Sequence, residues 1–255
     1  MLVLCIDIGG SHIKGALVTP DQEMVSDRLR IETPRPAQPQ PIIDTIAELS
    51  QPLDNYQCIS VGFPGIVING VTQSAVNLHP DWQGFPLAST LEQRLAMPTR
   101  VANDADIQGY GVIEGIGVEL VVTLGTGFGS ALFVDGVLVP NLEMGHHPFR
   151  KGDTYEQQLG NAARKKEGNR VWNRRLQTAL GNLQYLFSCR KIYLGGGNAK
   201  KVAFPLTDNV EIVSNRAGIY GGVELWREKP TGSTHQQVMP RPDVHQHSAQ
   251  QPAVH

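Results

Sequence analysis

Cysteine is scarce in this 255-residue chain: only Cys5, Cys58 and Cys189, far apart, two of them in apolar strand-like runs. Buried thiols in a reducing compartment are the simplest account of such spacing. Long apolar runs are missing as well; none approaches the roughly 18 residues of a membrane span. Neither sign of charge dominates, since 22 Lys and Arg against 24 Asp and Glu leave a formal net charge of −2. There is therefore no global case for nucleic acid or a membrane surface as partner. The N-terminus has no basic region and no cleavage site before its first apolar run, so a cytoplasmic protein is expected. What is present, 40% hydrophobic and 18% charged residues, is enough for a core in one large domain or two small ones.

Glycine is abundant, and it concentrates where chemistry is expected. In the stretch Val121 to His146, Leu124-Gly125-Thr126-Gly127-Phe128-Gly129 stands between two short apolar runs, Val121 to Leu124 and Ala131 to Val134, that read as strands. Glycines let such a turn come close to a ligand, and its exposed N–H groups make an anion nest suited to phosphate. A plain glycine-rich hairpin has the same local pattern. The device recurs near the N-terminus, where Leu2 to Ile8, the turn Gly9-Gly10-Ser11 and the strand Ile13 to Val18 follow the same order. Two copies about 120 residues apart imply two related α/β halves facing each other across a shared ligand. Asp7, at the end of the first strand, is placed to hold Mg²⁺ beside a phosphate.

The segments DIGGSHIKGALV and LGTGFGSALFVDG resemble the two phosphate segments of the sugar-kinase, Hsp70 and actin superfamily. Within it the chain is most similar to the ROK family of sugar kinases, and there to the polyphosphate/ATP glucokinase branch. The resemblance covers roughly residues 2 to 227. It implies an α/β fold of two RNase H-like halves (the actin-like ATPase superfamily) with a cleft between them. Residues 1–105 would form the half with the sugar-side loops and the base. Residues 106–227 would form the half with the phosphate loop and donor site, its last helix able to pack back on the first half. On the donor side the resemblance implies Asp7, with Mg²⁺ held through water, then Gly9, Gly10, Ser11, Lys14, Gly125, Thr126 and Gly127. Gly195, Gly196 and Gly197 resemble the adenosine segment. Pro140 to His146 looks like the family's Glu-x-Gly-His segment, implying Glu143 and His146 as sugar contacts. Thr99 to Asp106 resembles the catalytic Asn-Asp segment, implying Asn103 and Asp104, with Asp104 as base. Asn77 matches a sugar-side loop and Glu156 a second sugar glutamate. Most members carry a cysteine-rich zinc motif between that His and Glu, but Phe149 to Tyr155 contains no cysteine, so no structural zinc is expected. A homodimer is the expected assembly.

Read in order, the chain predicts a third strand over Met24 to Glu32. A loop through Pro41 follows, because four prolines fall in eight residues. A helix over Ile42 to Leu49 and a strand over Cys58 to Phe63 come next. Pro64-Gly65 ends that strand in a turn, where α/β folds place ligand groups; Gly65 is therefore a substrate-side expectation. Leu87 to Leu95 reads as a helix and Thr99 to Ala102 as a strand. On local pattern alone, Asn103 or Asp104 could simply cap the helix Ala105 to Glu114. Thr154 to Phe187 reads as helical, broken at Gly168-Asn169, with Leu176, Leu180, Leu183 and Phe187 facing the core. The nearby cluster Arg164, Lys165, Lys166, Arg170, Arg174 and Arg175 is either a solvated helix face or a track for an extended polyanion. Strands over Lys191 to Leu194 and Glu211 to Val213 precede a closing helix from Ala217 to Trp226. Residues 228–255 are rich in Pro, Gln, His and Ser and are expected to be a disordered tail.

The expectation is a kinase moving a phosphoryl group from polyphosphate, ATP or both to the 6-hydroxyl of glucose. ATP-dependent phosphorylation of mannose, fructose or an N-acetylhexosamine is the alternative, and a silent sugar-binding protein a weaker one. A sugar-responsive transcription regulator would carry a DNA-binding segment ahead of the core, whereas here the core opens at Leu2.

Overall fold

The computed structural model describes residues 1–73, 78–214 and 217–227. Two five-stranded mixed sheets organise it. The first is built from β1 (Val3–Ile8), β2 (His12–Val18), β3 (Leu29–Glu32), β4 (Cys58–Phe63) and β7 (Thr99–Asn103), in the order β3-β2-β1-β4-β7. The short hairpin β5 (Val67–Ile68) and β6 (Val71–Thr72) stands outside it. The second sheet contains β8 (Val118–Leu124), β9 (Phe128–Val134), β10 (Val137–Val139), β13 (Lys191–Gly195) and β14 (Val210–Ile212), in the order β10-β9-β8-β13-β14. In both, the first three strands form an antiparallel meander and the last two run parallel to the central strand. The repeat read from the two glycine loops is thus a repeat of whole sheets.

Both sheets are covered on two faces, which is why their central strands are nearly continuous apolar runs. Helices α1 (Pro39–Ser50) and α2 (Leu87–Leu95) bury Ile42, Ile43, Ile46, Leu49, Leu87 and Leu91 against one face of the first sheet. On its other face lie Ile219 and Val223, from α6 (Ala217–Tyr220) and the 3₁₀ turn Gly221–Trp226. The outer face of the second sheet takes α4 (Tyr155–Leu159) and α5 (Asn161–Phe187), through Leu159, Trp172, Leu176 and Leu183. Its inner face takes α3 (Asp104–Tyr110), where Tyr110 meets Phe133 edge-on at 5.1 Å between ring centres. The layers therefore run helices, sheet, α6 and α3, sheet, helices. The two inner helices touch so closely that a Cβ on Gly221 would overlap the Ile107 carbonyl.

Several boundaries differ from the sequence reading, each for a local reason. Helix α1 starts at Pro39, not Ile42, because proline fits the first helical turn, where its missing N–H costs nothing. The third strand shrinks to Leu29–Glu32, with Met24 making only an isolated bridge to Val18. Helix α3 ends at Tyr110, four residues early. The long helical stretch is interrupted at Gly160, after the Thr154–Gln157 capping box starts α4, and again at Gly168, whose φ is 78°. Leu176, Leu180 and Leu183 are buried as expected, and Phe187 packs half-buried on the same core. Asn77 and the segment 228–255 lie outside the described residues.

Candidate active site

The carboxyl ends of β1, β4 and β7 and the loop between β8 and β9 open on one cleft of about 300 Å³. Asp7, Gly9, Gly10, Lys14, Gly65, Asn103, Asp104, Gly125, Thr126, Gly127, Glu143, His146, Glu156, Gly196 and Gly197 all line it. Two expected residues do not. Ser11 is exposed at the tip of its turn, and Gly195 ends β13 packed against the Gln108 side chain. Pro64, Leu78, Gln108, Thr123, Phe128, Gly129 and Gly218 line the cleft without having been read from the sequence. Gln108 carries the one signal that could have drawn attention to it, a polar side chain on the inner face of a short helix.

The capping of α3 falls to the first of the two candidates. Asn103 is the N-cap of α3, its Oδ1 accepting from the N–H groups of Ala105 at 2.8 Å and Asp106 at 3.3 Å. Its Nδ2 donates to the Gly65 carbonyl at 3.1 Å, tying the ends of β4 and β7 together. Asp104 accepts from the Ala105 N–H at 2.8 Å and lines the cleft. Burial among protein groups, then the nearby charge of Asp7, pushes its carboxyl up to about 7. Asp106, one turn position further in, is pushed up to about 8 by burial and then by the charge of Asp104.

On the other wall, the glycine loop is pinned from behind. The Asn161 N–H donates to the carbonyls of Gly125 and Thr126, both at 3.1 Å. Asn198 donates from its backbone to Leu124 at 2.8 Å and from Nδ2 to Gly125 at 3.1 Å. With those carbonyls turned inward, Thr126 stands exposed at the cleft. Glu156 lies directly against this loop, with Oε2 3.4 Å from the Phe128 N–H. A Cβ at Gly127 would overlap that carboxylate, which would have to swing away to make room. His146 Nδ1 stands 3.6 Å from Glu143 Oε2, and the Ser130 hydroxyl donates to the Leu142 carbonyl at 3.0 Å to hold this segment on β9. At the first loop, Lys14 Nζ pairs with Asp7 at 2.8 Å. Four carboxylates and one lysine thus share a cavity whose opposite wall is mostly glycine backbone.

The sequence profile of the ROK family matches residues 3–157. The chain belongs to the ROK family. It is 32% identical over 234 residues to the polyphosphate glucokinase of Mycobacterium leprae (strain TN), an alignment spanning 85% of this chain and 72% of that protein. The inorganic polyphosphate/ATP-glucomannokinase of Arthrobacter sp. strain KM superposes with a TM-score of 0.80 at 34% identity, covering 89% of this chain and 99% of that one. A ROK family glucokinase from Streptomyces griseus, solved with glucose and AMPPNP, superposes with a TM-score of 0.75 at 19% identity, covering 88% and 99%; at that identity it shows the fold alone. The ROK fold is the actin-like ATPase fold, and the two sheets are its RNase H-like halves. The chain is similar to sugar kinases over most of its length. Among the described residues no helix is long and apolar enough to cross a membrane.

Proposed function

We propose that this protein is a glucokinase that transfers a phosphoryl group to the 6-hydroxyl of glucose, with polyphosphate as donor and ATP as a second donor. One observation carries the reading. Asp104 is left uncommitted by the Asn103 cap and faces a cleft with a glycine loop on one wall and Glu143, His146 and Glu156 beside it. A carboxyl near neutrality in that position suits a general base. In this reading Asp104 takes the proton of the sugar hydroxyl as its oxygen attacks the terminal phosphorus. The bond from that phosphorus to the bridging oxygen breaks, and the donor, shortened by one phosphate, leaves with the electron pair. Most of the catalysis is positioning and charge stabilisation. Gly65, Asn103, Glu143, His146 and Glu156, with Asn77, orient the sugar. Gly9, Gly10, Lys14, Gly125, Thr126 and Gly127 hold the donor's phosphates, and Gly196 and Gly197 offer backbone to an adenosine.

Mg²⁺ fits the residues present. A magnesium ion is usually bound by one or two carboxylates, waters and substrate phosphates, and Asp7 lines the cleft close enough to Asp104 to raise its pKa. Asp7 would hold it through water, and the ion would neutralise charge on the donor phosphates. We further place the division between halves at 105/106, with residues 1–105 and 106–227 as the units and the closing helix packed back on the first sheet. A cytoplasmic location and a homodimer belong to the same reading. The name of the Arthrobacter relative, a glucomannokinase, favours mannose as a second acceptor. The test is a coupled assay with glucose and Mg²⁺, offering polyphosphate and ATP separately. Turnover with polyphosphate is expected; turnover with ATP alone would replace the donor assignment by an ordinary ATP-dependent glucokinase.

A further inference from the structure

A second cavity, away from the cleft residues, has a lining of another kind. The hairpin of β11 (Pro148–Arg150) and β12 (Asp153–Thr154) leans on one face of α5 and leaves a groove of about 410 Å³. Arg150 and Lys151 come from the hairpin; Val171, Arg174 and Arg175 come from successive turns of the helix. No carboxylate lines it. Arg175 is only 13% exposed and pairs with Glu167 at 3.3 Å, yet its Nε is buried without a partner. Arg150, Lys151 and Arg174 make no ion pair or side-chain hydrogen bond among the described residues. Two carboxylates stand nearby, Glu167 on Arg175 and Asp153 across the hairpin from Arg150. The four cations converging on the concavity outnumber them and repel one another, and an anion placed among them relieves that repulsion. A buried Arg donor left unpaired points to the same missing partner.

We propose that this groove binds a run of phosphates, as an oligophosphate or as the distal stretch of a longer polyphosphate. Neutral or singly charged ligands would leave most of the positive charge unmatched, whereas linked phosphates present one negative charge per unit along a flexible line. The hairpin that carries Arg150 and Lys151 also joins His146 to Glu156, both lining the cleft. Filling the groove therefore steadies the segment between two cleft residues. The inference deepens the polyphosphate reading, but phosphate binding here does not require the protein to be a kinase.

The test compares the full-length chain with Lys151→Glu/Arg174→Glu, two exposed positions, and with Arg28→Glu/Arg94→Glu, which makes the same charge change on the first half. Arg174→Gln serves as a milder variant, and melting temperatures show that each is folded. Equilibrium dialysis with labelled tripolyphosphate and with a polyphosphate of about 45 units is run without sugar, so it reads binding even in a protein that turns nothing over. Affinity for the long chain is expected to fall roughly tenfold in the groove variant, with a shallower salt dependence, and to hold within about twofold in the control. If the KM for long polyphosphate rises while that for tripolyphosphate holds, the groove takes the distal part of the donor. If KM values hold but one of two tripolyphosphate sites disappears, it takes a separate oligophosphate. Equal losses in the groove variant and the control, or none in either, would overturn the proposal.

Discussion

The two glycine loops sit at matching places in matching sheets, yet they differ in charge. At the end of β1, Asp7 lies across from Lys14 in the antiparallel register, and the two form an ion pair at 2.8 Å. At the end of β8 the corresponding pair is Thr123 and Gly129, neither of them charged. The second loop is instead held by backbone bonds from Asn161 and Asn198 and has Glu156 against its glycine. The same turn geometry therefore serves two purposes. The first loop places a point charge that acts at a distance on Asp104, and the second presents rigid amides and a hydroxyl at contact range. Duplicated architecture conserves where the turns are, while side chains at the strand ends decide what each turn can hold.

The largest effect is expected where the two loops meet, at Asp104. Asp104→Asn should lower kcat by roughly 10²-fold or more while leaving glucose affinity nearly unchanged and without lowering the melting temperature. Asn103 already caps α3, so the substitution removes no cap. A lost melting temperature with surviving turnover would make Asp104 structural.

The charge difference between the loops gives a sharper test. As a base, Asp104 must be deprotonated, so kcat/KM should fall about tenfold per pH unit below a pKa of about 7. Since the charge of Asp7 helps to raise that pKa, Asp7→Asn should move the acid limb to lower pH, whatever it does to the rate. Thr123→Val, the matching change in the neutral loop, should leave the limb in place. An identical shift in both variants would erase the distinction drawn between the loops.

A smaller effect is expected behind Asp104. Asp106 is buried and pushed up to about 8, so the folded protein holds its proton where the unfolded chain would release it. Its contribution to stability is full below the unfolded carboxyl pKa of about 4 and is lost as pH rises through the folded value of about 8. Asp106→Asn should therefore melt roughly 2–5 °C above the parent at pH 9 and close to it at pH 5, read by calorimetry at both.

How far the sequence discloses this arrangement depends on what each residue type constrains. Buried parallel and central strands must be continuous apolar runs, so both sheets are visible as Leu2 to Ile8, Cys58 to Phe63, Val121 to Leu124 and Lys191 to Leu194. Turn residues are less telling. Gly195 and Gly196 look alike in the sequence, but one ends a strand under Gln108 and the other lines the cleft. Ser11 and Thr126 are both hydroxyls in glycine loops, yet only Thr126 reaches the cavity wall. Asn103 and Asp104 could each cap a helix, and only the backbone at Asn103, with ψ of 144°, decides between them. Glu156 follows a stretch without the family's usual motif; its place is fixed by the Gly127 contact, a long-range packing fact that spacing does not carry.

The smallest effect is expected at the chain's end, and the position of the cut is what makes the test informative. Residues 228–255 offer few large apolar side chains, chiefly Val238, Met239, Val244 and Val254, so they have little to bury on either half. The residues just before them are different. Trp226 donates from Nε1 to the Ser60 hydroxyl at 2.9 Å, and Arg100 stacks over its ring at 4.3 Å. Val223 is fully buried against the back of the first sheet. A chain ending at Arg227 should match the full-length protein in melting temperature and kcat within error. A chain ending at Tyr220 loses Val223 and Trp226 and should be destabilised by several kcal/mol, the usual scale for removing buried apolar and aromatic side chains. The closing helix anchors to the first sheet while α3 beside it packs on the second, so the shorter cut should weaken the joint on which the cleft depends. A marked loss in the chain ending at Arg227 would show instead that the histidine-rich segment docks on one half or supplies a group to the site.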